Sequence, residues 1–263
     1  MQRFTVEKQV QAVYTSSLPA AQDLRSRIYN ITENNVLTFL HGSSDYQDCL
    51  IVYTAFLFGQ YLCWTHILRQ QAQFACFATE ERGRNKRLVD LLGRIQSCLN
   101  TDKWGAAEEP FMLWKGHQLA IGELMTVTSS DAAGSNELLC MGYAEFTRKW
   151  KSGHKAINKH RAENDSGEKG MSESPENIND SEVFRGWFGY IERGIYQVER
   201  QRHHGDSTGF NRIRRLQHLL LELVEALDPD GGRASESKPV PAAHDCACTR
   251  CQKAMAKSRA GTV

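Results

Sequence analysis

The densest cluster of reactive side chains lies near the carboxyl terminus. His244-Asp245-Cys246-Ala247-Cys248-Thr249-Arg250-Cys251 places three thiols and an imidazole within eight residues. Thiolate sulfur and imidazole nitrogen are soft ligands, and four of them suit Zn²⁺ or Cu(I). Arg250 lowers neighbouring thiol pKa values and so favours the ligating thiolates. A structural zinc site ordinarily joins two separated ligand pairs through a folded knuckle, whereas His244, Cys246, Cys248 and Cys251 share one continuous stretch. Two readings therefore stand side by side: a metal site, with zinc as the cofactor to consider, and a metal-free, redox-sensitive segment.

Elsewhere the candidates for chemistry are sparse. Cys63 and His66 lie one helical turn apart in an apolar run, close enough to share a ligand. With no acid or second histidine at a matching spacing, both read as core residues, His66 being hydrogen-bonded. Glu123 and Glu145 are acids in apolar stretches. Burial would raise their pKa values, and ion pairs with Arg94 or Arg193 are the competing explanation. There is no nucleophile elbow, no zinc-protease helix motif and no glycine-rich phosphate loop. The chain is read as leaning away from catalysis, with no catalytic residues assigned.

Charge excludes little by itself. Lys plus Arg (32) nearly balance Asp plus Glu (31), a net charge of +1, so no global field draws the chain to nucleic acid or acidic lipid. A basic run at Arg82, Arg84, Lys86 and Arg87 and a second from Arg148 to Arg161 are local. The second is followed by acids from Glu163 to Asp180, the pattern of a polyampholyte linker. A nucleic-acid surface needs a sustained basic face with stacking aromatics, and only Trp150 is near. Nucleic acid is not the expected partner.

These residues must be positioned by helices. Ser17-Leu18-Pro19 is a helix-start signal, and Leu24, Ile28 and Ile31 follow at helical spacing. A short helix over 32–40 closes at His41-Gly42, and Ser44 or Asp45 caps a long apolar helix reaching Phe74 or Phe77. Thr79-Glu80-Glu81 opens a third helix with a stripe at Leu88, Leu91, Leu92, Ile95 and Leu99. Residues 111–114 read as a short strand with a turn at 115–116, but 117–125 is equally legible as a helix, and periodicity alone does not separate the two. Residues 126–135 read as a loop of small residues. Leu139, Tyr143, Phe146 and Trp150 then share one helical face. After the charged stretch come an aromatic stripe from Val183 through Trp187 and Phe188 to Val198, a turn at His203-His204-Gly205-Asp206, and a heptad-like seam at Ile213, Leu216, Leu220, Leu223 and Leu227.

The decisive segment is residues 49–68, CLIVYTAFLFGQYLCWTHIL, which carries no charged side chain. About twenty apolar residues suffice to cross a bilayer, but Gln60, His66 and the mid-segment Tyr53 and Tyr61 suit lipid poorly. The apolar stripes on the other helices need a partner, which favours a buried core helix. The amino terminus has charges at Arg3, Glu7 and Lys8 and no apolar signal core. Secretion is not expected, and Cys49, Cys63, Cys76, Cys98 and Cys140 read as reduced hydrophobes.

The fold expected is all-α, an irregular multi-helix bundle around a central apolar helix with at most a minor β-hairpin. Residues 1–150 form the helical core domain and 151–181 a charged flexible linker or insertion. Residues 182–228 form a helical hairpin packing on the core, and 229–263 a disordered, cysteine-containing tail. The function expected is non-catalytic and intracellular, in the cytoplasm, through contact with a protein partner at Trp187, Phe188, Leu220 and Leu227. The alternatives are a single-pass membrane protein anchored by residues 49–68, and a metal- or redox-responsive protein using the tail cysteines.

Overall fold

The computed structural model describes residues 2–75, 82–101, 110–130, 136–153, 180–203 and 211–228. The stretches expected to be a linker and a tail lie almost wholly outside these residues. The described elements are α1 (Gln2–Thr32), a 3₁₀ turn (Val36–His41), α2 (Ser44–Ala75), α3 (Arg82–Asn100), α4 (Lys115–Met125), β1 (Thr126–Ser130), β2 (Asn136–Cys140), α5 (143–153), α6 (Asp180–His203) and α7 (Asn211–Leu227). The architecture is an all-α bundle with one small antiparallel hairpin.

The charge-free run explains the arrangement. Leu50, Ile51, Val52, Ala55, Phe58, Leu62, Cys63 and Ile67 point in different directions around α2, and all are buried. No single neighbour could cover them, so α2 contacts α1 most extensively, then α4, with the 3₁₀ turn, α6 and β2 completing the sheath. Helix α7 lies against α1 and α3, whereas α6 lies against α2 and α4. An aromatic cluster closes one side: Phe146 of α5 meets Phe56 of α2 and Phe184 and Phe188 of α6, with centroids 5.0 to 5.5 Å apart.

Three local expectations are corrected. Helix α1 begins at Gln2 and carries Pro19 in its interior rather than in its first turn. Proline there removes one i→i−4 bond, and the buried Leu18, Ala21, Leu24, Ile28 and Ile31 hold the helix by packing. Residues 126–130 are a strand, paired from Thr126↔Cys140 to Ser130↔Asn136, so Leu139 sits on a strand and not on the helical face of Tyr143. Thr126, Val127 and Thr128 are β-branched, which suits the pleated surface better than their small size suggests. Residues 111–114 form no strand, and α4 opens at Lys115.

That irregular segment is pinned to the end of α3. The Leu113 amide donates to the Leu99 carbonyl at 2.8 Å, and the Lys115 amide donates to Asn100 Oδ1 at 2.9 Å. The buried Gln118 amide donates to the carbonyls of Leu113 and Gln96. Phe111 has a left-handed backbone, φ 57°, unfavourable for a side chain of its size. It is held by stacking on Phe58 at 5.1 Å and by Gly194 of α6, where an added Cβ would stand 2.7 Å from the Phe111 nitrogen.

Arg212 is the largest fully buried side chain, 2% exposed. Its guanidinium donates to the Cys98 carbonyl at 2.5 Å and to the Thr101 carbonyl, at the carboxyl end of α3. The cation thus meets the negative end of the helix dipole and carbonyls of its last turn, which fastens α7 to α3.

Arg212→Met keeps the bulk and removes the donors, so stability should fall by about 1–3 kcal/mol, read as a lower urea midpoint. Gly194→Ala should cost about 1–3 kcal/mol through overpacking against backbone, visible in the same measurement.

Candidate interaction surface

The residues expected to make contacts lie inward. Phe188 and Leu220 are fully buried, and Trp187 and Leu227 are half-buried and packed against the core. Trp187 faces the His117 ring at 5.7 Å, and that ring stacks on Tyr190 at 3.9 Å. Burial, aided by the Arg193 charge, holds the His117 pKa below its ordinary value. The stripe that looked like a docking face is therefore largely spent on holding α6 to the molecule. His244, Cys246, Cys248 and Cys251 lie outside the described residues. Among the described residues, no three His, Cys, Asp or Glu side chains gather as a metal site.

The other sequence candidates separate in space. His66 Nε2 is 2.7 Å from Gln70 Nε2, and its Cβ packs against Gly122, where a methyl group would stand 3.0 Å away. The Cys63 sulfur instead touches Thr126 Oγ1 at 3.4 Å. Glu123 is exposed. Glu145 corrects the expectation of a raised pKa: hydrogen bonds from Arg148, the shortest 2.6 Å, hold its carboxyl below the usual range, with Lys149 4.0 Å away. Of the basic runs, Lys86, Arg87 and Lys151 are exposed.

A polar groove of about 500 Å³ is lined by Asp90, Arg94, Gln96, Ser97, Thr101 and Arg215. Arg94 there is bonded to Glu222 at 3.0 Å and lies 3.9 Å from Asp90, so its charge is already matched.

Among the exposed apolar residues, one group of rings gathers around the first turns of α2. Tyr46 is 61% exposed, Phe39 48%, and Tyr53 and Tyr143 40% each. Their positions follow from local structure. Tyr46 and Tyr53 are seven residues apart, two turns along one helical face, with the exposed Cys49 between them. Asn35, in the left-handed conformation that asparagine tolerates, opens the 3₁₀ turn that presents Phe39. The Phe39 ring stacks on Tyr46 at 5.8 Å. The Met141 amide donates to the Met125 carbonyl at 2.8 Å, extending the hairpin and setting where α5 begins. Tyr143 then meets the Tyr53 and Phe56 rings edge-on at 5.7 and 5.1 Å.

Arg27 of α1 completes the surface, its guanidinium 5.0 Å from the Tyr53 centroid and donating to the Leu50 carbonyl at 3.3 Å. Asp45 and Asp48 are exposed at the start of α2 and supply an acidic edge. This surface is not marked by any long apolar stripe in the sequence. The i, i+7 pair Tyr46 and Tyr53 was visible, but tyrosine fits core and surface alike. No known protein family, curated protein or solved structure matches this chain.

Tyr53→Ala removes one cation–π contact and one edge contact at an exposed position. Stability should change by less than about 1 kcal/mol, and thermal melting checks this.

Proposed function

We propose that this chain is a non-catalytic helical protein that works by binding another protein, through the surface formed by Phe39, Tyr46, Tyr53 and Tyr143. The single observation that carries the reading is the exposure of these four rings, paired with one another at the start of α2. Aromatic side chains dominate the anchor positions of protein interfaces, and clustered exposed apolar surface marks interaction sites. The pairing also limits the rotamer freedom that binding would otherwise cost. Asp45 and Asp48 at the edge favour a partner with basic residues flanking its apolar contact.

The proposed setting is intracellular and soluble. One helix, Ser44–Gln70, is long and apolar enough to cross a membrane, and most of it is buried against the rest of the chain. That burial supports a core role for residues 49–68. Extraction of membranes with alkaline carbonate should release the protein into the supernatant. Retention in the pellet would favour the bilayer reading.

A photo-crosslinking residue at Tyr46 should capture a specific protein in cells. Tyr46→Ala with Tyr53→Ala should weaken that capture by at least about tenfold with the melting temperature little changed. Undiminished capture by the double variant overturns the assignment.

A further inference from the structure

Cys63 and Cys140 are far apart in sequence and adjacent in space. In the hairpin register Cys140 stands directly opposite Thr126, and directly opposed residues project from the same face of an antiparallel pair. Thr126 points at α2: its hydroxyl touches the Cys63 sulfur at 3.4 Å and donates to the Gly122 carbonyl at 2.8 Å. The Cys63 thiol also reaches the Leu139 carbonyl at 4.0 Å, one residue before Cys140. Each thiol is the strongest influence on the other's pKa, that of Cys63 lowered and that of Cys140 raised, while the Cys140 thiol donates to the Met141 carbonyl at 3.6 Å.

We propose that Cys63 and Cys140 form a reactive dithiol that a low-molecular-weight disulfide oxidises to a Cys63–Cys140 bridge, clamping the hairpin onto α2. The two positions divide the work. Cys63 is fully buried, whereas Cys140 is half-exposed at the hairpin surface. Cys140 is the entry point. Its sulfur, after passing its proton to Cys63, attacks one sulfur of the small disulfide. The first thiolate leaves, and Cys140 becomes a mixed disulfide. Cys63 then gives up its proton to that leaving thiolate and attacks the Cys140 sulfur, releasing the second small thiolate. The Cys63 thiolate and Cys140 thiol, holding one proton between them, are oxidised to one disulfide while the small disulfide is reduced to one thiol and one thiolate, so electrons and protons balance.

Exposure and not acidity sets this order, and the resting pair supplies the acceptor for the Cys140 proton. The Cys140 thiol, with help from Thr126, favours the Cys63 thiolate against the opposing effect of burial, while the same contact holds the Cys140 thiol protonated at rest. Cys98 offers a contrast. It is buried, its pKa is pushed up to about 11, and its thiol donates to the Arg212 carbonyl at 3.6 Å. It reads as an inert core thiol. The bridge would also fix the strand that leads to Tyr143, three residues beyond the close of β2 at Cys140.

The test uses the full chain carrying Cys246→Ser, Cys248→Ser and Cys251→Ser, so that the tail thiols do not compete. It is incubated while folded with oxidised glutathione and mapped by mass spectrometry of its peptides. The expected product is a peptide pair joined through Cys63 and Cys140, about 2 Da lighter than the separate thiol peptides. Adding Cys63→Ser should trap glutathione on Cys140, raising that adduct by about tenfold. Glutathione remaining on Cys140 while Cys63 is present overturns the proposal. So does any other bridge in its place, or modification of the exposed Cys49 with both thiols left reduced. The mapping of the protein with Cys63 intact decides the matter even if Cys63→Ser destabilises the fold.

Discussion

The run of residues 49–68 without a charge must be kept from water, and every large feature of the structure follows from how that is done. Each square ångström of apolar surface withdrawn is worth about 25 cal/mol, and a helix apolar on all sides can withdraw it only by being surrounded. Helices α1, α4 and α6, the 3₁₀ turn and the strand β2 therefore converge on α2 from different directions. Close approach is bought with small residues. At Gly59 an added methyl would meet Phe188 and Met125 within 3.2 Å, and at Gly122 it would meet His66 and the Leu62 carbonyl at 3.0 Å.

Sheathing α2 draws on a set of phenylalanines. Phe56, Phe146, Phe184 and Phe188 pack as a connected cluster, and Phe58 stacks on Phe111. Three charged side chains caught in this interior have specific partners. Arg212 meets carbonyls at the end of α3. Arg185, buried, bonds to Glu192 and lies 3.8 Å from the centre of the Trp150 ring. Glu199, also buried, meets His41 at 2.9 Å and so ties α6 to the 3₁₀ turn that carries Phe39. Tyr46 and Tyr53 on the first turns of α2 and Tyr143 at the start of α5 are left exposed.

The periodic helices were legible from residue spacing. The stripes of α3 and α7 are buried nearly as their spacing implies, and α2 begins at Ser44, beside its expected start. Less legible were elements whose local signals compete. Pro19 signals a helix start, yet packing carries α1 through it. The short residues at 126–130 look like a loop until Asn136 to Cys140 lie beside them. Phe111 adopts a backbone that no local preference would choose, because Phe58 and Gly194 leave it one position.

Residue types alone determined that this chain is helical, that it has one helix needing full enclosure, and that its charge is balanced, because periodicity and composition are local properties. Which stripe faces inward is not local. Phe188 and Tyr46 are both aromatic residues on amphipathic helices, and only the packing of α5 and α6 onto α2 buries the first and leaves the second at the surface. The same holds for Cys63 and Cys140, two unremarked thiols until strand register and helix position bring them into contact. A pair of side chains acquires a shared chemistry only when the tertiary fold sets the distance between them.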